Sequence, residues 1–180
     1  MYIAQKLRQQ NIAAYIIYMY QVEDVIRAFG LDAERIRKEY LPRFQYTEQQ
    51  LDELAQWYAN LARMMHEEGC EQTGHVQVVR NTLMLAADRH AELLADPKQP
   101  FYSTTYYKAL PYIVELRSKG NNREKDEVEN CLDAMYGATL LRMKGQELTA
   151  ETAAALAPIS KLMEMLSELY NDVPAGDTTT

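Results

Sequence analysis

Glu23, Asp24 and Arg27 are the first residues whose types and spacing suit chemistry, because they follow an apolar run, Ile12 to Tyr20, that holds no charge, glycine or proline. Glu23 to Arg27 is an (i, i+4) pair and Asp24 to Arg27 an (i, i+3) pair, so along one helix the guanidinium reaches either carboxylate. By helical phase Glu23 projects with Met19 and Ile26, toward a core. A carboxylate there needs a partner, since desolvating it otherwise costs several kcal/mol. Beyond Arg27, Arg142 lies on the apolar stripe of Val128, Cys131 and Leu132, and Arg117 is in phase with Tyr106, Leu110 and Ile113. The expectation is an ion network that fixes helix register, with Arg27 or Arg142 meeting Glu23. The rival is a ligand or catalytic pocket in the bundle core, built from Glu23, Arg27, His90, Tyr106 and Arg117 or Arg142.

The three histidines read differently from one another. His90 shares a stripe with Val79, Leu83 and Ala86, which describes a satisfied core histidine more often than a catalyst. His75 opens a helix, where the dipole disfavours its charged form, and nothing beside it in sequence completes a site. His66 adjoins Glu67 and Glu68 and reads as surface. Tyr102, Tyr106, Tyr107 and Tyr112 crowd one segment of a chain with 13 tyrosines, a composition that suits a pocket lining or an interface. Lys108 sits inside that cluster but points away from Tyr106 and Leu110 by phase.

Metal and cofactor spacings are absent. There is no Glu-x-x-His, no His-x-x-x-His and no Cys-x-x-Cys, the glycines are scattered rather than grouped into a phosphate loop, and no Gly-x-Ser-x-Gly elbow occurs. Cys70 and Cys131 match no metal spacing, and Cys131 falls on an apolar stripe. No metal and no cofactor are expected.

These residues are positioned by helices throughout. The stretch Ile12 to Phe29 is apolar all round, which suits the centre of a bundle. It is too short and too soon charged to span a bilayer. Lys6 and Arg8 before it suggest an export signal, but Glu23 and Asp24 stand where a small-residue cleavage site belongs, so export is not expected. Asp32 caps a short helix to about Tyr40, ended by Leu41-Pro42. Thr47 with Gln50 makes a capping box for a helix striped by Leu51, Leu54, Tyr58, Ala62 and Met65. Further helices are expected over about 75–94, 103–118 with Pro111 inside it, 122–144 with Asn122 as cap, and 149–170 with Thr149 as cap and Pro158 inside it. The result is an all-α, single-domain bundle of six or seven helices around Ile12–Phe29, spanning 1–172, with a disordered tail over 173–180.

The net charge of −7 works against nucleic acid, whose phosphates call for a basic face. The two cysteines give no sign of an oxidising compartment, so the cytoplasm is the default.

Three segments carry a resemblance: IAQKLRQQNIAAYIIYMYQVEDVIRAFG, YYKALPYIVELRSK and CLDAMYGATLLRMKGQELT. With them the chain resembles the domain-of-unknown-function family 4924, small proteins typical of Bacteroides-type gut bacteria. The resemblance implies a cytoplasmic, helical, single-domain protein and brings no catalytic residue, cofactor or substrate. The absence of catalytic spacings, with nine methionines suited to adaptable contacts, points to a non-enzymatic protein. Its expected partner is another protein or a second copy of itself, with neither nucleic acid nor membrane involved.

Overall fold

Asn11 divides what would otherwise be one long N-terminal helix. Its side chain accepts a hydrogen bond from the Ala14 amide at 2.8 Å and so caps a new helix start. In the computed structural model, which describes residues 1–119 and 125–171, α1 is Tyr2–Gln10 and α2 is Ile12–Ala28. α3 is Ala33–Arg35, continued by a π turn at Ile36–Tyr40 and a 3-10 turn at Leu41–Arg43. α4 is Glu48–Glu67, α5 Gln77–Ala95, α6 Pro100–Lys119, α7 Glu127–Met143 and α8 Ala150–Leu169. The chain is therefore all-α, with eight α-helices and no strand among the described residues. The split at Asn11 and the separate α1 account for the helix beyond the expected number. The expected Asn122 cap and the 173–180 tail lie outside the described residues. Asp126 caps α7 instead, accepting from the Glu129 amide.

α2 is buried on several sides at once: Ile12, Ala13, Tyr15, Ile16, Met19, Tyr20, Val22, Glu23 and Ile26 all lie within the protein. That is the burial an all-round apolar helix requires. The chain packs as two compact units, Met1–Lys6 with Tyr18–Asn81, and Leu7–Ile17 with Thr82–Thr180.

In the first unit, α4 starts with the capping box of Thr47 and Gln50. It buries Leu54, Tyr58, Leu61, Ala62 and Met65 at the spacings of a core-facing stripe. Tyr40 anchors an aromatic group, meeting Phe29, Phe44 and Tyr58 edge-on, with the Arg43 guanidinium 4.1 Å from its ring centroid. α4 ends at Gly69, whose φ of 67° is a left-handed turn that a side chain would strain.

In the second unit, α6, α7 and α8 pack against one another. Tyr102, Ala109 and Ile113 face inward from α6, Val128, Cys131 and Leu132 from α7, and Ile159, Leu162, Met163 and Leu166 from α8. The Ala13 amide, an orphan donor in the first turn of α2, is taken up by Ser167 Oγ on α8 at 3.2 Å. Arg89 Nε and Nη2 donate to the Leu169 carbonyl and close the far end of α8. Pro111 and Pro158 sit inside α6 and α8 without ending either helix.

Candidate functional site

Glu23 is 0% exposed, and its partner is neither Arg27 nor Arg142. Its Oε1 accepts from the Val76 amide at 2.9 Å and its Oε2 lies 2.5 Å from His75 Nδ1. Val76 opens α5: its carbonyl accepts from the Val79 and Arg80 amides, so its own N–H is one of the orphan donors of a helix start. The carboxylate therefore caps α5 from another helix and sits at the positive end of its dipole. The Tyr20 ring stacks on the His75 ring at 4.0 Å between centroids and 13° between planes. The carboxylate thus holds the His75 ring by its Nδ1 edge.

Arg27 serves the same corner differently. Its Nη1 pairs with Asp24 at 2.9 Å, and its Nη2 donates to the carbonyls of Cys70, at 3.1 Å, and Gly74. It fixes the loop that delivers His75. The (i, i+3) contact to Asp24 was legible in the sequence, whereas the expected contact with Glu23 is corrected.

The second unit holds another polar group. His90 is 7% exposed, and its Nδ1 lies 2.6 Å from the Tyr102 hydroxyl. Its Nε2 is buried without a hydrogen bond and stands 3.9 Å from a Glu127 carboxylate oxygen. Burial holds the imidazole below its usual range, with Glu127 and Asp126 pulling the other way. Tyr106 donates to Glu127 at 3.0 Å, and its hydroxyl is pushed up to about 12 by desolvation and by that carboxylate. Arg117 Nη1 is 3.6 Å from the other Glu127 oxygen, and Nη2 donates to the Lys125 carbonyl. Glu127 thus joins His90, Tyr106 and Arg117, three of the residues expected in a core site.

Arg142 does not join them. It is exposed near the C-terminal end of α7, while Glu127 begins that helix. At 1.5 Å per residue the two are roughly 20 Å apart along its axis. The stripe on which Arg142 was placed turns away, with Ala138 buried and Met135 and Thr139 only half-buried. The expected site residues therefore fall into two sets, each with its own partners. Glu23, Asp24 and Arg27 belong to the first unit, and His90, Tyr106 and Arg117 to the second.

Two central residues escaped sequence reasoning. His75 was seen only as an isolated helix start, and its partner stands 52 positions earlier. Glu127 carried one usable signal, an acid in a first helical turn.

One surface stands out on α6. Phe101 is 80% exposed, Tyr107 67% and Val114 57%, and with the exposed Thr104, Lys108 and Pro111 they form one helical face. The opposite face buries Tyr102, Ala109 and Ile113, so this helix is apolar on both sides.

No helix among the described residues is long and apolar enough to cross a membrane. No curated protein and no solved structure matches the chain. One family model does match, over residues 1–177, nearly the full length. The chain belongs to the family described as Domain of unknown function (DUF4924).

Proposed function

We propose that this is a non-enzymatic helical protein that works by self-association, with α6 pairing antiparallel to α6 of a second copy about a twofold axis. The observation that carries the reading is the outer face of α6. Phe101 and Val114 lie equally far from the junction of Tyr107 and Lys108, and so do Thr104 and Pro111. An isologous interface needs such a self-complementary surface, because each residue must meet the image of its counterpart. Antiparallel pairing sets Phe101 against Val114 of the second copy, Thr104 against Pro111, and the Tyr107 ring against the Lys108 ammonium, a cation–π arrangement.

The size is modest. Aromatic side chains offer roughly 150–250 Å² each, so the exposed parts of Phe101, Tyr107 and Val114 present about 300–400 Å² of apolar surface. That is the size of the largest apolar patch on an ordinary monomer, roughly 300–600 Å² and often functional, and it reaches most of the apolar half of a standard interface of about 800 Å² per partner. The dimer is therefore reversible rather than permanent.

We take the working compartment to be the cytoplasm. Cys70 and Cys131 are both free thiols, and the acidic chain has no use for a nucleic acid partner.

Sedimentation velocity over a wide concentration range tests the reading. Wild type shifts from monomer to dimer as concentration rises. Tyr107→Asp and Phe101→Glu remain monomeric with unchanged far-ultraviolet dichroism. A wild-type protein that stays strictly monomeric at the highest attainable concentration refutes it.

A further inference from the structure

Behind the outer face of α6, three rings lie in series. The His90 ring on α5 meets the Tyr106 ring edge-on at 5.4 Å between centroids, and the Tyr106 ring meets that of Tyr107 at 5.5 Å. Tyr106 is half-buried, whereas Tyr107 stands exposed at the middle of the face. A second link runs through one oxygen. The Glu127 Oε2 that accepts from the Tyr106 hydroxyl at 3.0 Å is also the atom 3.9 Å from His90 Nε2.

At 3.9 Å a neutral imidazole makes no hydrogen bond to that oxygen. A protonated one does, because a charged N–H closes on a carboxylate to about 2.7–2.9 Å and binds it roughly twice as strongly as a neutral donor. The imidazole is the less movable partner, since it is buried and the Tyr102 hydroxyl holds its Nδ1 at 2.6 Å. Glu127 therefore swings toward α5 by about 1 Å to reach that bonded distance. Tyr106 then either loses its anchor or follows it, and in both cases the ring behind Tyr107 leaves its place.

The other groups around His90 leave Glu127 as the one that responds. Asp126 is committed to capping α7, Arg117 faces the other Glu127 oxygen, and the Cys131 thiol beside Tyr102 stays protonated. On the same helix as His90, Arg89 donates to the Leu169 carbonyl and pairs with Glu92.

Given the antiparallel α6 pairing proposed above, on which this rests, we infer that protonation of His90 switches self-association off. With His90 neutral, Glu127 holds Tyr106, and Tyr106 supports Tyr107 against the second copy. With His90 charged, that support is withdrawn. By linkage the dimer in turn keeps His90 neutral more strongly than the monomer does. Acidification also reduces the repulsion between two copies of net charge −7, which favours association. A dimer that weakens as pH falls is therefore the signature of this device.

Sedimentation velocity at about pH 7.5 and pH 5.5, with the His90 ring followed by NMR across the same range, tests the switch. The wild-type dissociation constant should rise at least about fivefold at the lower pH, the lower end of coupling between linked sites. Tyr106→Phe keeps both ring contacts but cuts the link to Glu127, so its His90 still titrates while its association no longer weakens. His90→Gln lacks the proton and likewise does not weaken. In dilute wild-type monomer, the Tyr107 ring signals should follow the His90 midpoint. Absence of association at both pH values refutes the α6 dimer and the switch with it. Three results overturn the switch alone: a dimer no weaker at the lower pH, a His90 that does not titrate in this range, or Tyr106→Phe responding to pH as wild type does.

Discussion

Replacing Glu23 by alanine should cost the first unit about 3–5 kcal/mol, because it strips both hydrogen bonds of a fully buried carboxyl group from their partners. The structure supplies the reasons. The Val76 amide loses a 2.9 Å acceptor, and an unsatisfied buried N–H costs roughly 1–3 kcal/mol. His75 loses the carboxylate that orients it, a hydrogen bond to a charged group worth roughly 1.5–3 kcal/mol. The two losses share one side chain and so do not add fully. Glu23→Gln keeps the shape and an amide oxygen for Val76, and should cost only about 1–2 kcal/mol. A cycle with His75→Ala isolates the pairwise part, expected at about 0.5–3 kcal/mol for residues in contact. Equilibrium urea unfolding at neutral pH, followed by far-ultraviolet dichroism and by Trp57 fluorescence, measures all of these. The reasoning fails if Glu23→Ala lies within about 1 kcal/mol of wild type or is more stable. A more stable variant would mark an acid held at the expense of stability for a function.

Two further outcomes follow from titrating groups in the second unit. His90 is held below its usual range by burial beside Tyr102 and Tyr106, which outweighs the upward pull of Glu127 and Asp126, so the unfolded chain takes up its proton first as pH falls. Stability is then lost as pH drops through about 6.5 and levels off below the folded value. Urea midpoints at about pH 7.5 and pH 5.5 should show this loss for wild type, and His90→Gln should reduce it; a loss of the same size in His90→Gln would contradict the assignment. Burial, with Glu127 and Asp126 nearby, pushes the Cys131 thiol up to about 12, and burial also raises Cys70. Neither should react with a disulfide reagent at mildly alkaline pH until urea is added, and rapid labelling of Cys131 in the folded protein would count against its position.

The parts of the fold that read directly from sequence are those set by near neighbours. The Thr47–Gln50 box, the Thr149 cap and the stripe Ile159, Leu162, Met163 and Leu166 each depend on residues within a turn or two. They appear where periodicity placed them. Asn11 was missed because a single asparagine within a helical pattern does not announce that its side chain has taken over a backbone donor. The site was less legible, because phase along one helix gives a direction but not the neighbour that waits there. Glu23 does point inward, as Met19 and Ile26 require, yet what meets it arrives from a loop after α4. Arg142 kept phase with Val128 and Cys131 on an ideal wheel, but burial follows Ala138 and leaves the helix end open. Arg117 found Glu127 ten positions on, beyond a stretch whose sequence offers no periodicity to read.

Glu23 and Glu68 bear on how the first unit assembles. The Val76 amide is held by Glu23 and the Gln77 amide by Glu68, so the first donors of α5 are satisfied by carboxylates outside the helix, one 53 positions earlier on α2 and one nine positions earlier just past α4. Most helices begin with a local cap and can fray there without disturbing the rest. Here the first turn of α5 closes only when the chain between Glu23 and Val76 has looped back, at an entropic cost that grows slowly with loop length. Opening that turn releases α2 and the end of α4 together. The start of α5 thus behaves as a latch on a cooperative unit, so a perturbation at either carboxylate is felt first at the other two helices rather than along α5.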